Sequence, residues 1–337
     1  MVIDKNFYMG LALSEAWKYQ GLTYPNPAVG CTIVGNNNQL LSVEAHQKAG
    51  TPHAEVLALK TAYYKLTNDT KILELKLSSD IHNYLLNHHN GCFSEIELYT
   101  TLEPCSHVGK TPSCATLISK LGVKKVFVGS NDFNEEASNG NEILSTCKIV
   151  VEENVMKKEC DELLYPFYMW SKDKFVFFKI AQRLNATFDG GVISSQTSRE
   201  QTHAMRDVCD LLVVGGDTVR IDRPTLDARL VDGKAPDILI YSRHKEFDRT
   251  IPLFNVEGRK VIISDDFNAT CKEYKNIMIE GGNKMHSLTC KDVDYYLTYI
   301  APKYGGSKTI ENSNDKFKIL NIEKENKDII MWMKREK

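Results

Sequence analysis

The amino-acid sequence predicts two consecutive α/β domains. Its 337 residues exceed what one compact core usually organises. Over the first half, short β-rich runs alternate with stretches of helical periodicity, the mark of a layered α/β sheet. Near Ser171 the pattern resets, and a second series of apolar strands begins.

Apolar residues at Phe7, Leu11 and Ala12 recur at helical spacing, so a helix opens the chain until "TYPNPAVG" breaks it. "AVGCTIVG" reads as a strand, "HAEVLALKTAYYKL" as a helix and "EIELYTT" as a strand. "CATLISKLG" is a helix closed by Gly122, and "KKVFVGS" a strand. Between Lys60 and Ser94 lies a polar, partly helical insertion, longer than the usual helix-to-strand connection. Its adjacent His88 and His89 have no neighbouring ligands and are expected to face solvent. After the reset, "FVFFKIAQ", "LLVVGGDTV", "DILIYS", "KVIISD", "NIMIEGG" and "YLTYIAP" read as buried strands, with helical material such as "SREQTHAMRDVC" between them. The expected domains are residues 1–150 and 172–337, joined by a linker over 151–171.

Apolar content of 42% and charged content of 26% are those of a globular protein. A net charge of −2, without a dense Lys/Arg stripe, argues against a nucleic-acid partner. No stretch approaches a membrane span, and the first twenty residues carry Asp4, Lys5, Glu15 and Lys18, so the expected location is cytoplasmic. Of the nine cysteines, Cys31, Cys92, Cys147, Cys160, Cys209, Cys271 and Cys290 are scattered and read as small buried hydrophobes. Cys105 and Cys114 alone stand in a motif.

That motif is "TTLEPCSHVGKTPSC", with "TPHAEVLAL" upstream. A zinc ion that activates water needs three nitrogen or sulfur ligands and one open position, and His53, Cys105 and Cys114 supply them. Glu55, two residues after the histidine at a helix start, stays free to handle protons as general acid/base. The arrangement follows the His-x-Glu and Pro-Cys…Cys logic of zinc deaminases, with eight residues instead of two between the cysteines. Gly109 and Pro112 let that segment loop out and return, and helix N-termini at Ala54 and Cys105 are expected to favour thiolate. The alternatives are a closed structural zinc site, for which His107 could be the fourth ligand, or no metal at all.

"YPNPAVGCTIV", "AGTPHAEVLAL" and "YTTLEPCSHVGKTPSCATLI" resemble the deaminase half of the bifunctional riboflavin-biosynthesis deaminase/reductase family. The resemblance implies a cytidine-deaminase-like three-layer α/β/α domain with zinc on His53, Cys105 and Cys114. It also implies that Glu55 carries a proton from water to the departing amino group. Asn26 of "PNPAVG" would line the base pocket, the alternative being a turn without ligand contact.

The second half has no Gly-x-Gly-x-x-Gly or phosphate-binding P-loop. Instead, two strands run into paired glycines, where backbone can approach a phosphate. "FVFFKIAQRLN", "VVGGDTVRIDRPTLDARL" and "IEGG" resemble, in order, the reductase half of the same family, which implies a dihydrofolate-reductase-like α/β domain using NADPH. Ala181, Val192, Thr218, Asp222, Gly281 and Gly282 fall where that family holds the cofactor. Gly190, Arg206, Leu226, Arg229 and Glu280 fall where it holds the ribosyl-phosphate substrate. Arginine's planar fork suits phosphate, making Arg206 and Arg229 the phosphate candidates, while Asp222 and Glu280 would orient sugar hydroxyls. Where the family has Ser-Leu-Asp-Gly this chain has "RLNA", residues 183–186, and Val192 replaces a frequent tryptophan.

The expected function is hydrolytic deamination of 2,5-diamino-6-(5-phosphoribosylamino)pyrimidin-4-one at zinc, followed by NADPH reduction of the ribosyl group to ribityl. The partner is a small pyrimidine ribosyl phosphate, and a homodimer is the expected assembly. The competing readings are a deaminase with a non-reducing second domain, or a nucleic-acid editor.

Overall fold

The computed structural model describes residues 3–106, 112–133, 138–310, 314–325 and 327–336. The chain divides into two compact units, residues 1–168 and 169–337.

In the first unit, α1 (Lys5–Trp17) starts where the Asp4 carboxylate accepts from the backbone N–H groups of Asn6 and Phe7, both at 3.0 Å. The strands β1 (Gly30–Val34) and β2 (Leu40–Ala45) form an antiparallel pair. After α2 (Ala54–Thr67) come the short α3 (Lys71–Glu74) and α4 (Ser78–His88), then β3 (Glu97–Leu102). Next are α5 (Cys114–Leu121), β4 (Lys125–Ser130), α6 (Gly140–Thr146), β5 (Val150–Glu152) and α7 (Lys157–Lys172). The sheet order is β2-β1-β3-β4-β5, with β3, β4 and β5 parallel.

Strand alternation sorts the side chains into two layers of core. Leu98, Val126 and Val128 face α2 and α5, packing with Val56, Leu59, Leu117 and Ile118. On the other side Tyr99 stacks on Phe127 at 4.3 Å and meets Tyr8 of α1 at 5.2 Å. A helix layer on each side of one sheet is the three-layer arrangement anticipated. The Lys60–Ser94 insertion holds the end of α2, α3 and α4. There His88 is stacked on Tyr84 with ring centroids 4.1 Å apart.

The second unit begins with β6 (Phe175–Arg183), α8 (Gln196–Val208), β7 (Leu211–Gly215), α9 (Gly216–Asp222) and β8 (Asp237–Tyr241). It continues with β9 (Val261–Ser264), α10 (Phe267–Thr270), β10 (Asn276–Glu280), α11 (Asn283–Thr289) and β11 (Tyr295–Ala301). A terminal hairpin, β12 (Phe317–Glu325) and β13 (Asp328–Arg335), completes an eight-stranded sheet of order β12-β13-β11-β6-β10-β7-β8-β9. The six strands from β11 to β9 are parallel, and β13 and β12 add antiparallel. The parallel strands are covered on both faces, so they read as continuous apolar runs. Val176 and Phe178 pack with Ile277, Ile279 and Met285 on one side, while Phe177 meets Trp332 on the other.

Three expectations need correction. Residues 151–171 are not an extended linker, because they hold most of β5 and α7. No helix starts at Cys105; the nearer helix begins at Cys114. Among the seven scattered cysteines, Cys147 is exposed and Cys92 and Cys290 are half-buried, all nine thiols being free.

Candidate active sites

His53 is the N-cap residue of α2, so its ring projects from the helix start while Glu55 sits inside the first turn. Cys105 follows the end of β3, and Cys114 opens α5 behind Ser113. The Ser113 hydroxyl accepts from the Thr116 N–H at 3.1 Å and donates to the Cys105 carbonyl at 2.9 Å. One serine thus caps the helix and ties down the preceding turn. Gly140 permits that turn: a Cβ there would lie 1.8 Å from the Pro104 carbonyl oxygen. Glu103 closes the other side by accepting from the N–H groups of Asp132 and Asn141 at 3.1 and 3.0 Å.

The result is convergence of three donors. Cys105 Sγ and Cys114 Sγ lie 3.7 and 3.5 Å from His53 Nδ1, and all three ligand atoms fall within 4.8 Å of one another. This is the one such cluster among the described residues. His107, the expected fourth ligand of a closed site, lies outside the described residues, as do Gly109 and Lys110.

The electrostatics match a cation site. The Cys114 thiol donates to Cys105, and with His53 this pulls the Cys105 thiol down to about 4, while the same shared proton and burial push Cys114 up. Without a cation only one sulfur ionises; a divalent metal would allow both. Burial pushes the Glu55 carboxyl up to about 7, against the opposing pull of His53. Such a group exchanges protons near neutrality.

Sequence reasoning missed His46. Its Nδ1 donates to the Pro52 carbonyl at 3.1 Å, which fixes the tautomer, and its Nε2 accepts from the Asn26 amide at 3.1 Å. Burial holds this imidazole down to about 4, so it stays neutral. The Asn26 carbonyl oxygen is thereby oriented as an acceptor.

In the second unit a cleft of about 1370 Å³ opens over the ends of β6, β7, β8 and β10. Ala181, Thr218, Asp222, Gly190, Glu280, Gly281 and Gly282 of the sequence candidates line it. Val192, 63% exposed, does not, nor do Arg206, Leu226 and Arg229. Gly282 is required sterically, since a Cβ there would come within 2.4 Å of the Phe188 ring. At the cleft edge stand Arg220, Arg243 and Lys284.

Behind the cleft Arg206 is buried, and all three of its guanidinium nitrogens are engaged. Nε and Nη2 reach the two oxygens of Glu280, and Nη1 reaches the Asp227 carbonyl at 3.2 Å. Arg229 is exposed and held by Asp227 at 2.6 Å. Leu226, in the left-handed region at φ 55°, is fixed by Arg259, whose Nη1 donates to its carbonyl at 2.7 Å. Lys179, which sequence reasoning also missed, lines the cleft with its ammonium 3.9 Å from Glu280. Burial lowers its pKa against the pull of Glu280. In "FVFFKIAQ" it reads as an ordinary strand residue; only the inward alternation marks it.

A buried glutamate beside a Cys₂His cluster in one unit, and a glycine-edged cleft backed by ionic groups in the other, define a two-site enzyme: a zinc-dependent deaminase coupled to a nicotinamide-dependent reductase. The family described as "Cytidine and deoxycytidylate deaminase zinc-binding region" matches residues 3–130, and the "RibD C-terminal domain" matches residues 182–330. Riboflavin biosynthesis protein RibD of Aquifex aeolicus is 31% identical, with 99% of each chain covered. That of Actinobacillus pleuropneumoniae is 28% identical over 89% of this chain and 84% of its own. The solved Thermotoga maritima diaminohydroxyphosphoribosylaminopyrimidine deaminase/5-amino-6-(5-phosphoribosylamino)uracil reductase superposes with a TM-score of 0.65, at 26% identity and 98% coverage of each chain.

The chain belongs to the RibD family, the bifunctional deaminase/reductases of riboflavin biosynthesis. The match over residues 182–330 disfavours a deaminase with a non-reducing second domain. No helix of the described residues is long and apolar enough to cross a membrane.

Proposed function

We propose that this chain deaminates 2,5-diamino-6-(5-phosphoribosylamino)pyrimidin-4-one and then reduces the ribosyl group of the product to ribityl with NADPH. The observation that carries the first step is the convergence of His53, Cys105 and Cys114 beside Glu55. Zinc held by these three residues supplies Lewis acidity that brings the acidity of water into the neutral range. Glu55 takes a proton from water and returns it to the departing amino group, which leaves as ammonia. Asn26, oriented by His46, accepts from the base.

For the second step the cleft is of a size for a dinucleotide, and Ala181, Thr218, Asp222 and the Gly281-Gly282 turn supply its walls. Arg220 and Arg243 at its edge favour a cofactor bearing an additional phosphate, hence NADPH over NADH. NADPH supplies the hydride. Lys179 is placed to give the matching proton to the sugar oxygen, and Glu280, gripped by Arg206, orients the sugar hydroxyls. Arg206 is committed to holding Glu280, and Gly190 shapes the cleft wall, whereas Leu226 and Arg229, outside its lining, belong to the substrate group by position in the sequence alone. Val192 belongs to the same cofactor group by position in the sequence. A cytoplasmic homodimer is the working assembly.

The test uses one preparation of the full chain. Its zinc content, ammonia release from the diaminopyrimidine substrate, and loss of nicotinamide absorbance when NADPH meets the deaminated product should all be positive. Zinc-free protein that still releases ammonia overturns the first half; an unchanged nicotinamide band overturns the second.

A further inference from the structure

Arg183 opens the "RLNA" segment, where this chain departs from Ser-Leu-Asp-Gly. It closes β6, is 5% exposed, and directs its guanidinium into the loop that follows. Nη1 donates to the Asp189 carbonyl at 2.6 Å and to the Thr187 hydroxyl at 3.3 Å, and Nη2 donates to the Gly190 carbonyl at 3.0 Å. Asp189, Gly190 and Gly191 line the reductase cleft, while Arg183 stands behind them. Hydrogen bonds from a charged donor hold a loop more firmly than neutral ones.

The held segment has the most freedom to lose. Gly190 and Gly191 both lie in the left-handed region, at φ 79° and 87°, and glycine gives up more conformational entropy on ordering than any other residue. A trans peptide carries its C=O and N–H on opposite sides. Turning the Asp189 and Gly190 carbonyls toward Arg183 therefore turns the N–H groups of Gly190 and Gly191 away from it.

A second loop is fastened to the first. The Asp189 carboxylate accepts from the Ser307 N–H at 2.7 Å, the Ser307 hydroxyl at 3.0 Å and the Lys308 N–H at 2.9 Å. The Phe188 N–H donates to the Lys308 carbonyl at 3.1 Å. Lys308 also lines the cleft, and the Phe188 ring is the one that approaches Gly282. Two loops more than a hundred residues apart in sequence thus form one wall, with Arg183 at its root.

We propose that Arg183 is a positioning residue of the reductase site, holding residues 188–191, and through them 307–308, in the shape that receives the dinucleotide. Order present before binding need not be supplied by the ligand, so cofactor affinity rises. This inference rests on the reductase reading of the cleft.

Wild type, Arg183→Met and Arg183→Lys of the full chain test it, with NADPH as the probe. The Kd for NADPH, followed by nicotinamide fluorescence, should be about tenfold weaker in Arg183→Met. The KM for NADPH should rise in step, while turnover at saturating NADPH should stay within about threefold of wild type. Arg183→Lys keeps the charge without the fork and should fall between the two. Without NADPH, hydrogen exchange at the Phe188, Ser307 and Lys308 amides should be slow in wild type and faster in Arg183→Met, and added NADPH should slow it again.

An NADPH Kd within about twofold of wild type in Arg183→Met overturns the proposal, as does a fall in saturating turnover with Kd unchanged. Should Arg183→Met not fold, exchange in cofactor-free protein decides. Slow exchange at those three amides in wild type that Arg183→Lys accelerates supports the proposal; fast exchange in wild type, or none gained in Arg183→Lys, overturns it. Wild type that binds no NADPH overturns the reductase reading itself and this proposal with it.

Discussion

Arg206 donates from Nε to Oε1 of Glu280 at 2.8 Å and from Nη2 to Oε2 at 3.0 Å, a paired ionic bond between α8 and the end of β10. Arg206 lies behind the reductase cleft and Glu280 in its wall, both largely buried, so the pair is weakly screened by solvent. Removing one partner leaves the other buried without compensation. Arg206→Met should therefore cost about 3–5 kcal/mol in chemical denaturation of the full chain. Arg206→Lys should recover part of that stability without restoring reductase turnover, because an ammonium cannot make the paired bond.

The same pair sets an acid limit. Burial alone would raise the Glu280 carboxyl, but Arg206 and Lys179 outweigh it and bring it from the ordinary value of 4.5 to about 2. Its folded pKa is below its unfolded one, so the unfolded chain binds the proton first. The stability it contributes is complete above 4.5 and is lost as pH falls toward 2. Denaturation midpoints should decline over that window in wild type and decline less in Glu280→Gln.

Glu55→Gln keeps the shape of the deaminase centre and removes its proton carrier. Ammonia release should fall by about 10²–10⁴-fold, with zinc content and reductase turnover unchanged. Retained ammonia release would assign the proton transfer elsewhere.

Cys105→Ser exchanges a sulfur ligand for a hydroxyl that does not ionise near neutrality. Metal analysis should show zinc lost along with ammonia release, whereas Cys147→Ser, at an exposed thiol remote from the motif, should change neither. Chelator treatment of wild type should reproduce the Cys105→Ser phenotype and be reversed by added zinc.

Gly282→Ala introduces a methyl within 2.4 Å of the Phe188 ring, which also lines the cleft. The ring must move. The KM for NADPH should rise roughly tenfold, the equivalent of about 1.4 kcal/mol, measured by steady-state kinetics with ammonia release as control.

The deaminase centre was legible because its parts are short-range. His53 and Glu55 share one helix start, and Cys105 and Cys114 flank a single loop, so spacing alone brings them close. His46 was not legible, because its role depends on the end of β2 being carried to that centre by packing. In the second unit six strands were readable as apolar runs, but β12 and β13 were not. β12 leaves Ile319 and Ile322 exposed and mixes them with Lys318, Asn321 and Glu323, a half-solvated pattern without a clean period. The pairing of Arg206 with Glu280, seventy-four residues apart, was equally invisible. From sequence each of the two looked like a substrate contact.

The placement of β13 governs how the chain matures during synthesis. This strand lies between β11 and β12, and its Asp328 accepts from the Ser195 N–H at 2.7 Å and the Ser198 hydroxyl at 2.6 Å, fastening the first turn of α8. Until residues 328–335 have left the ribosome, β11 has an open edge and α8 lacks this tether. Residues 1–168 can assemble while translation continues, whereas reductase competence must wait for β13 to emerge. A stalled or nicked chain lacking 328–335 would thus keep ammonia release and lose hydride transfer.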